Sequence, residues 1–374
     1  MKTVKQIQNE ARDWLFGAAA PLWSTTGVLE DGMFAEALHH DGSIMRGPRR
    51  LRVQARQIYS FCEIGRLGWD GPWRKIVEDA LPAFVSRGVS EEGVFIHTYD
   101  DKGDVSNKSL DLYNQAFGLF ALAHAGNALS KPELFALAGT VMDRIDADWA
   151  RPEGGYWEGV LTPCPPYRQN PHMHMFEAAT ALYRFTNDPR WGAIAGALSL
   201  LFRSKFHDRA TGAVTEYFDQ SWNPLNDETG SIVEPGHCLE WAWLFGTNAK
   251  SQDEIDTSDG LSAFARRYGL CGRRGVAINE VSLDGAVINN NARLWPQTER
   301  LKAAADSFRR QNAIDSEQEI IAAYEGLAKY LVTDIAGLWH DKMKPDGTFL
   351  DEPAPASSFY HIVCGLSELL QLEI

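Results

Sequence analysis

The chain has 374 residues, of which 44% are hydrophobic and 23% charged, and this is the composition of a globular protein with a large core. Its formal net charge of −14 argues against nucleic-acid and anionic-membrane partners, because phosphate binding needs a basic field. The five cysteines are scattered and no CxxC motif occurs, so we expect reduced thiols in a cytoplasmic protein rather than a disulfide framework or zinc cluster.

The chain begins with an amphipathic segment, residues 3–18, in which charges occur throughout. It lacks the apolar core of a signal peptide. No apolar run later in the chain approaches the roughly 18 residues that a membrane span needs. We therefore expect no membrane association.

Helical periodicity predicts twelve helices in chain order. Their expected ranges are 3–18, 50–68, 72–87, 110–128, 131–149, 172–187, 189–206, 235–249, 251–270, 292–310, 315–335 and 357–373.

The links between these segments alternate between short and long. Short links such as Ser130-Lys131-Pro132 join helices into pairs, with proline at or near the first helical position. Long links such as 95–103 and 206–218 are rich in glycine, aspartate and aromatic residues, and their Asp-Gly and Asp-x-x-Gly pieces are typical of hairpin turns. The chain thus repeats as helix, long loop, helix, short turn.

A repeated helical hairpin cannot bury its apolar face alone and must stack on its neighbours. Six such pairs predict an all-α fold, an (α/α)6 barrel (toroid) with short β-hairpin-like loops between the helix pairs. An open α-solenoid is the alternative, but its repeats and loops are usually shorter. No linker divides the chain, so we predict a single domain over residues 1–374.

In a closed ring, the first turns of alternate helices would line one cavity, and each of those six turns carries a polar or aromatic group suited to chemistry. Three of the ten histidines fall at corresponding helix starts, more than random placement would give. The candidates are Arg56, Tyr113, Asn170, His174, His237, Glu240, Trp295 and His361.

These residue types suit acid–base chemistry. A helix N-terminus disfavours positive charge and should keep an imidazole neutral, able to act as a base. His237 and Glu240 are three residues apart on one helix face, so we expect the carboxylate to orient the ring or receive its proton. Two bases facing across a cavity can move a proton at a carbon beside a carbonyl. Asn170 could instead be only a helix cap, and no HExxH or paired-cysteine spacing supports a metal site.

Six segments, one on each inner helix, resemble the N-acylglucosamine 2-epimerase superfamily in its branch with bacterial mannose isomerases. They are RVQARQIYSF, DLYNQAFGLFALA, NPHMHMFEA, EPGHCLEWAWL, RLWPQTE and ASSFYHI. The resemblance covers nearly the whole chain in order. It implies the same barrel and metal-free, cofactor-free sugar isomerisation or epimerisation. One departure is the Gly230-Ser231-Ile232-Val233 segment, where some relatives have an arginine.

By this resemblance, His237 and His361 are the proton-transferring pair and Glu240 is the partner of His237. The same comparison implies that the sugar and its carbonyl oxygen are held by Arg56, Tyr113, Asn170, His174 and Trp295.

We therefore expect an aldose–ketose isomerase of the mannose/fructose type that acts through an enediolate on a monosaccharide. A sugar 2-epimerase is the alternative, and a glycoside hydrolase or a non-catalytic sugar-binding protein is favoured less. The substituents of the sugar stay open, although Arg273, Arg274, Lys342 and Lys344 lie in loops that could reach a charged group. We expect a monomer or a homodimer.

Overall fold

The computed structural model describes residues 2–311 and 314–373 of the chain. Residues 1, 312, 313 and 374, which the predicted domain includes, lie outside the described residues. The helices are α1 (Val4–Trp14), α2 (Ala20–Thr25), α3 (Leu51–Arg66), α4 (Trp73–Gly88), α5 (Leu112–Leu129), α6 (Pro132–Trp149), α7 (Asn170–Thr186), α8 (Pro189–Leu201), α9 (Pro235–Asn248), α10 (Gln252–Tyr268), α11 (Trp295–Gln311), α12 (Ile314–Ala328) and α13 (Ala356–Leu370).

Every helix predicted from periodicity is present, with one boundary moved by a strand. The helix expected over 292–310 begins at Trp295, because Ala292 and Arg293 pair with the neighbouring loop as strand β14. The first helix continues through a π-helical turn, Leu15–Ala19, into the short α2.

The odd-numbered helices from α3 to α13 form an inner set in which each contacts the next and α13 contacts α3. Each is backed by one outer helix: α4 packs on α3, α6 on α5, α8 on α7, α10 on α9, α12 on α11 and α1 on α13. The inner helices are buried on most sides, as expected for elements covered on both sides, and α3 and α11 bury polar and charged side chains as well as apolar ones. The contacts of the described helices therefore close on themselves rather than ending at two free edges.

Short antiparallel strands join neighbouring loops at one end of this ring. The strands are β1 (Ala37–Leu38), β2 (Arg49–Arg50), β3 (Thr98–Tyr99), β4 (Val105–Asn107), β5 (Tyr167–Arg168), β6 (His207–Asp208), β7 (Ala213–Val214), β8 (Tyr217–Phe218), β9 (Ile232–Val233), β10 (Leu270–Cys271), β11 (Val276–Ala277), β12 (Glu280–Ser282), β13 (Val287–Asn289), β14 (Ala292–Arg293), β15 (Lys342–Met343) and β16 (Ala354–Pro355).

Strand pairing follows the order of the loops around the ring. The pairs β2–β3, β5–β8, β9–β12, β14–β15 and β16–β1 each connect two successive loops, and a bridge between Asp111 and Gly159 connects the remaining two. Four further pairs, β3–β4, β6–β7, β10–β11 and β12–β13, each form within one loop. The hairpin-like loops predicted from the Asp-Gly pieces are thus present.

Glutamines of the inner helices fix the loops to the ring. The side-chain amides of Gln54, Gln115 and Gln297 each bond both the N–H and the C=O of a loop residue 20 positions earlier. On α7 the ring of His172 takes the equivalent position against Tyr156. These bonds satisfy buried backbone groups, and they hold each loop against the start of its inner helix.

In the described part of the chain, none of the helices is both long and apolar enough to cross a bilayer. The cysteines Cys62, Cys164, Cys238, Cys271 and Cys364 are free thiols.

Candidate active site

The first turns of the inner helices meet at a cavity of about 210 Å³ beside the long loops. All eight residues selected from the helix starts lie in its wall, so the ring brings them together as the repeat predicts. The wall consists of Arg56, Tyr113, Asn170, His174, Glu234, His237, Glu240, Arg293, Trp295, Asp341, Ser357, Ser358 and His361.

His237 stands in the first turn of α9 and is bound by a carboxylate from the loop that precedes the helix. Its Nδ1 lies 2.9 Å from Oε2 of Glu216 and 3.9 Å from Oε2 of Glu234. The prediction that Glu240 pairs with His237 is therefore wrong. The partner is Glu216 of the loop, whereas Glu240 lies one helical turn further from the helix start. The bond to Nδ1 leaves Nε2 of His237 for a ligand in the cavity.

The neutral imidazole expected at this helix start is also wrong for His237. Burial disfavours its charge, but the carboxylates of Glu216 and Glu234 outweigh burial and raise the pKa of His237 to about 9. The attraction of two adjacent carboxylates is thus stronger than the unfavourable end of the helix dipole. At neutral pH His237 is an imidazolium that can donate a proton.

His361, in the second turn of α13, has the opposite protonation. Its Nδ1 lies 2.9 Å from Oε1 of Glu299, and its side chain is almost completely buried. Burial lowers the pKa of His361 to about 3, and the positive charges of Arg56 and Lys302 add to that effect against the attraction of Glu299. His361 is therefore neutral, with a lone pair available to act as a base.

A third histidine, His174, shows the same arrangement on α7. Nδ1 lies 3.0 Å from Oε2 of Glu177, and Oε1 of Glu177 accepts a 2.6 Å hydrogen bond from the hydroxyl of Tyr360. Burial lowers the pKa of His174 to about 4. The ring is thus held neutral and in one orientation in the cavity wall.

Trp295 lies beside both the charged His237 and the neutral His361. Its ring centroid is 4.9 Å from that of His237 and 5.7 Å from that of His361. The indole therefore offers an apolar face near both an acid and a base. Such a face is what a sugar ring or carbon chain stacks on.

Arg56 reaches the cavity from α3 and is held by aromatic rings. Its Nη2 donates to the hydroxyl of Tyr113 at 2.8 Å, and its Cζ lies 4.1 Å from the ring centroid of Phe117. The Nε of Arg56 is buried and bonds no atom of the described residues. The guanidinium is a rigid cation with donor capacity left for a ligand oxygen.

Asn170 is not the helix cap that its position before Pro171 suggested. Gln169 precedes α7 in the cap position, without a capping side-chain bond, and Asn170 is the first helical residue. Its Oδ1 is buried and bonds no atom of residues 2–311 and 314–373. An unpaired buried amide in a cavity wall is a candidate ligand contact.

Glu240 is buried in the same wall, and its Oε1 lacks a partner among the described residues. Burial raises the pKa of Glu240 well above its ordinary value, and the nearby charge of Glu299 raises it further. Glu240 thus favours the protonated acid, which can donate a hydrogen bond to a ligand oxygen.

Several residues of the site were not among those selected from the helix starts. Glu216 carries no signal in the sequence, because it is 21 residues before His237 in a loop. Glu299 falls in the RLWPQTE segment, one turn after Trp295, so helical spacing on α11 could have indicated it. The remaining missed wall residues are Glu234, Arg293, Asp341, Ser357 and Ser358.

Three groups of side chains bring possible metal-ligand atoms within 4.8 Å of one another. In each group a carboxylate is near the Nδ1 of a histidine of the site, so a metal ion would compete with an imidazole–carboxylate pair. The groups are His174 with Glu177 and Glu240, His237 with Glu216 and Glu234, and His361 with Glu240 and Glu299.

Three of the four loop cations considered for a charged substituent, Arg273, Arg274 and Lys342, are engaged elsewhere. Arg274 is buried and bonds the carbonyls of Lys344 and Asn290, whereas Arg273 bonds a third backbone carbonyl. Lys342 pairs with Glu352 at 2.9 Å. Two arginines, Arg56 and Arg293, line the cavity.

Known proteins resemble this chain over nearly its whole length. The family model for N-acylglucosamine 2-epimerase (GlcNAc 2-epimerase) matches residues 32–365. A mannose-6-phosphate isomerase of Rhizobium meliloti (strain 1021) is 38% identical over 372 residues, which are 96% of this chain and 96% of the relative.

Solved structures show the same fold at lower identity. The cellobiose 2-epimerase of Bacillus thermoamylovorans B4167 superimposes with a TM-score of 0.89 at 17% identity, covering 98% of this chain and 100% of that one. A D-mannose isomerase superimposes with a TM-score of 0.86 at 18% identity, covering 98% and 97%.

The chain belongs to the N-acylglucosamine 2-epimerase family. It is accordingly an enzyme, a carbohydrate isomerase or epimerase.

Proposed function

We propose that the protein is an aldose–ketose isomerase of the mannose/fructose type. The observation that carries this proposal is the opposite protonation of two histidines beside one indole: His361 is neutral and His237 is charged. Proton transfer through an enediolate needs one base and one acid at the same time. The cavity of about 210 Å³ has the size for one monosaccharide unit.

In the proposed reaction the open-chain aldose lies on Trp295 with its C1 carbonyl toward His237. Nε2 of His361 removes the proton on C2, and His237 donates a proton to the carbonyl oxygen. The resulting enediol carries hydroxyls on C1 and C2. His361 then returns its proton to C1 while His237 takes the proton from the C2 hydroxyl, which leaves the ketose and restores both histidines.

Arg56 and Glu240 support the charge that develops on the oxygens. The guanidinium of Arg56 is held in place by Tyr113, so its free donor requires little reorganisation when the C1 or C2 oxygen becomes negative. Glu240, as the protonated acid, can donate to a second oxygen. His174 and Asn170 contribute further polar groups that fix the sugar hydroxyls.

A sugar 2-epimerase is the second candidate, because the same two histidines serve it. In that reaction the proton returns to C2 on the opposite face, and His237 would deliver it. The isomerase is favoured by the relative at 38% identity, which is named a mannose-6-phosphate isomerase. Cellobiose 2-epimerases are found among relatives at lower identity, including one from Bacteroides fragilis at 20%.

Glycoside hydrolysis is disfavoured because it needs two carboxyl groups that flank one bond. Glu177 is engaged by His174 and Tyr360, and Asp111 caps α5 through the N–H of Tyr113. Of the carboxyl groups in the cavity wall, Glu234 lies 3.9 Å from Nδ1 of His237 and Asp341 accepts a 2.7 Å hydrogen bond from Ser358. This leaves Glu240 with an unpaired oxygen among the described residues.

The proposal also includes the domain organisation, the cellular location and the oligomeric state of the protein. We infer that the closed ring of inner helices is an (α/α)6 barrel that forms one domain, as in an enzyme whose site lies at one rim. Action in the cytoplasm without a cofactor, as a monomer or homodimer, stays a prediction from the sequence.

Proton NMR of the purified protein with D-mannose in D2O tests the reaction. Fructose that forms with the wild type and fails to form with His361→Asn supports the isomerase. Glucose with deuterium at C2 and little fructose identifies the epimerase instead. Mannose 6-phosphate, N-acetylglucosamine and cellobiose are assayed in parallel, and an enzyme inert toward all four would contradict both candidates.

A further inference from the structure

The ammonium group of Lys302 is fully buried behind the cavity wall, on α11. Its Nζ lies 2.6 Å from Oε2 of Glu299, one turn earlier on the same helix, and 3.8 Å from the ring centroid of Trp243. Both members of the ion pair have 0% side-chain exposure, so solvent does not screen either charge. A buried charge of this kind is stable only where its partner is held in place.

Glu299 is shared between this lysine and the proposed base. Its Oε2 faces Lys302, and its Oε1 accepts the hydrogen bond from Nδ1 of His361 at 2.9 Å. The three side chains thus contact one another in sequence from the interior to the cavity: first the ammonium of Lys302, then the carboxylate of Glu299, then the imidazole of His361. A change of charge at Lys302 therefore reaches His361 through a single carboxylate.

Other ionisable groups face this series from each inner helix packed near it. Burial alone would lower the pKa of Lys302. The negative charge of nearby acidic groups has the larger effect, so the pKa of Lys302 is raised. The facing groups are Glu240 on α9, Glu177 on α7, Arg56 on α3, and Tyr360 and Cys364 on α13.

We propose that Lys302 is a positioning residue for the reaction: it fixes the ionised Glu299 so that this carboxylate orients His361 without charging it. The proposal rests on the function proposed above, in which His361 is the base. A buried carboxylate without a cation would draw a proton onto the imidazole that it binds. With Lys302 beside it, the carboxylate is already neutralised, and Nε2 of His361 keeps the lone pair that the reaction needs.

The test is the pH profile of kcat/KM for Lys302→Met. Loss of the ammonium should move the acid limb to higher pH by about 1–3 units, because a neighbouring charge shifts a pKa by that amount. The activity of the variant should therefore fall much more at pH 5 than at pH 8. Lys342→Met is the matched control, since it removes the same charge from a half-exposed pair with Glu352 and should leave the profile unchanged.

A purely structural lysine would give a different result. Lys302→Met would then lower kcat/KM by the same factor at every pH, and an acid limb at the wild-type position overturns the proposal. If Lys302→Met does not fold, as judged by circular dichroism, Lys302→Gln replaces it. This variant keeps a donor toward Glu299 and lacks the charge, so the same shift of the limb is expected.

A measurement without substrate separates this proposal from the proposed function. Titration of ¹⁵N-histidine-labelled protein by NMR reports directly whether the His361 ring is charged. Its midpoint should be higher in the Lys302 variant than in the wild type, even if the wild type turns over none of the sugars tested. An identical midpoint in both proteins contradicts the role of Lys302, whatever the substrate is.

Discussion

Oε2 of Glu216 lies 2.9 Å from Nδ1 of His237, although the two residues are 21 positions apart and only the histidine belongs to a helix. The carboxylate orients the ring and stabilises its charge. Replacement of Glu216 by glutamine keeps an acceptor and removes the charge, so the pKa of His237 should fall. As His237 is the proposed acid, activity that persists up to about pH 9 in the wild type should decline at lower pH in the variant.

The expected loss of kcat/KM for Glu216→Gln at neutral pH is about 10–100-fold, as for other residues that orient a reacting group. The measurement is the alkaline limb of the pH profile. Glu228→Gln, a change of the same kind in the same loop, is the control. An alkaline limb that stays in place would show that another group supplies the proton.

His361→Asn should remove the base while keeping a group that can bond Glu299. We expect turnover to fall by about 10²–10⁴-fold, the usual contribution of a positioned base. In the wild type the acid limb should lie far below neutrality, because burial lowers the pKa of His361 to about 3. A variant that retains most of its activity would assign the base to another residue, and His174→Asn is the comparison.

Arg56→Lys keeps the positive charge and loses the planar donor set. Because the free donor of Arg56 is proposed to contact the developing oxyanion, kcat should fall by about 10²–10³-fold. Arg52→Lys is the matched control on the same helix, since Arg52 bonds Asn114 outside the cavity wall. Equal losses in the two variants would argue that α3 simply needs arginine for packing.

Asn170 and Asp188 give a second matched pair, at the starts of α7 and α8. The Asp188 side chain accepts from the N–H of Arg190 at 2.9 Å, whereas the Asn170 amide oxygen has no partner in the described structure. Asp188→Ala should cost about 1 kcal/mol of stability with KM unchanged. Asn170→Ala should raise KM and leave the melting temperature near that of the wild type, and the reverse pattern would make Asn170 a structural residue.

Gly236 allows the indole of Trp295 to approach His237. A Cβ at Gly236 would lie 2.5 Å from Cη2 of Trp295, so alanine there must displace the ring. We expect Gly236→Ala to lower kcat/KM by about 10²-fold, the cost of a misplacement of about 1 Å. Gly196→Ala, where nothing lies within 4 Å of the new Cβ, should leave kinetics unchanged and stabilise α8 by up to about 1 kcal/mol.

Much of this organisation could be predicted from the sequence, because helical periodicity and the alternation of loop lengths are local signals. The repeat located the helix starts, and the histidines among them indicated the site. The partner of His237 could not be predicted in the same way. His174 and Glu177 are three residues apart and bond each other, yet His237 and Glu240 have the same spacing and do not.

The difference between the two pairs arises from the loops. The loop before α9 places Glu216 on Nδ1 of His237. Glu216 is held there by a backbone hydrogen bond to Ile232 in the same loop and by the side-chain amide of Gln169, which precedes α7. The charge of each site histidine likewise depends on the side chains that contact it. The helix dipole alone indicates a neutral ring at every start, whereas the packed carboxylates make one histidine charged and leave another neutral.

The two ends of the described chain meet where the ring closes. Nε2 of Gln8 on α1 donates to the carbonyls of Leu369 and Leu372, and β1 pairs with β16 just before α13. During synthesis, therefore, the first helix leaves the ribosome long before its packing partner exists. The proposed base, His361, is carried by that late partner, so completion of the ring and acquisition of catalytic activity should be one event in the life of the nascent chain. An incomplete polypeptide would contain the proposed acid, His237, without the proposed base, and would expose the apolar side of its first helix to chaperones.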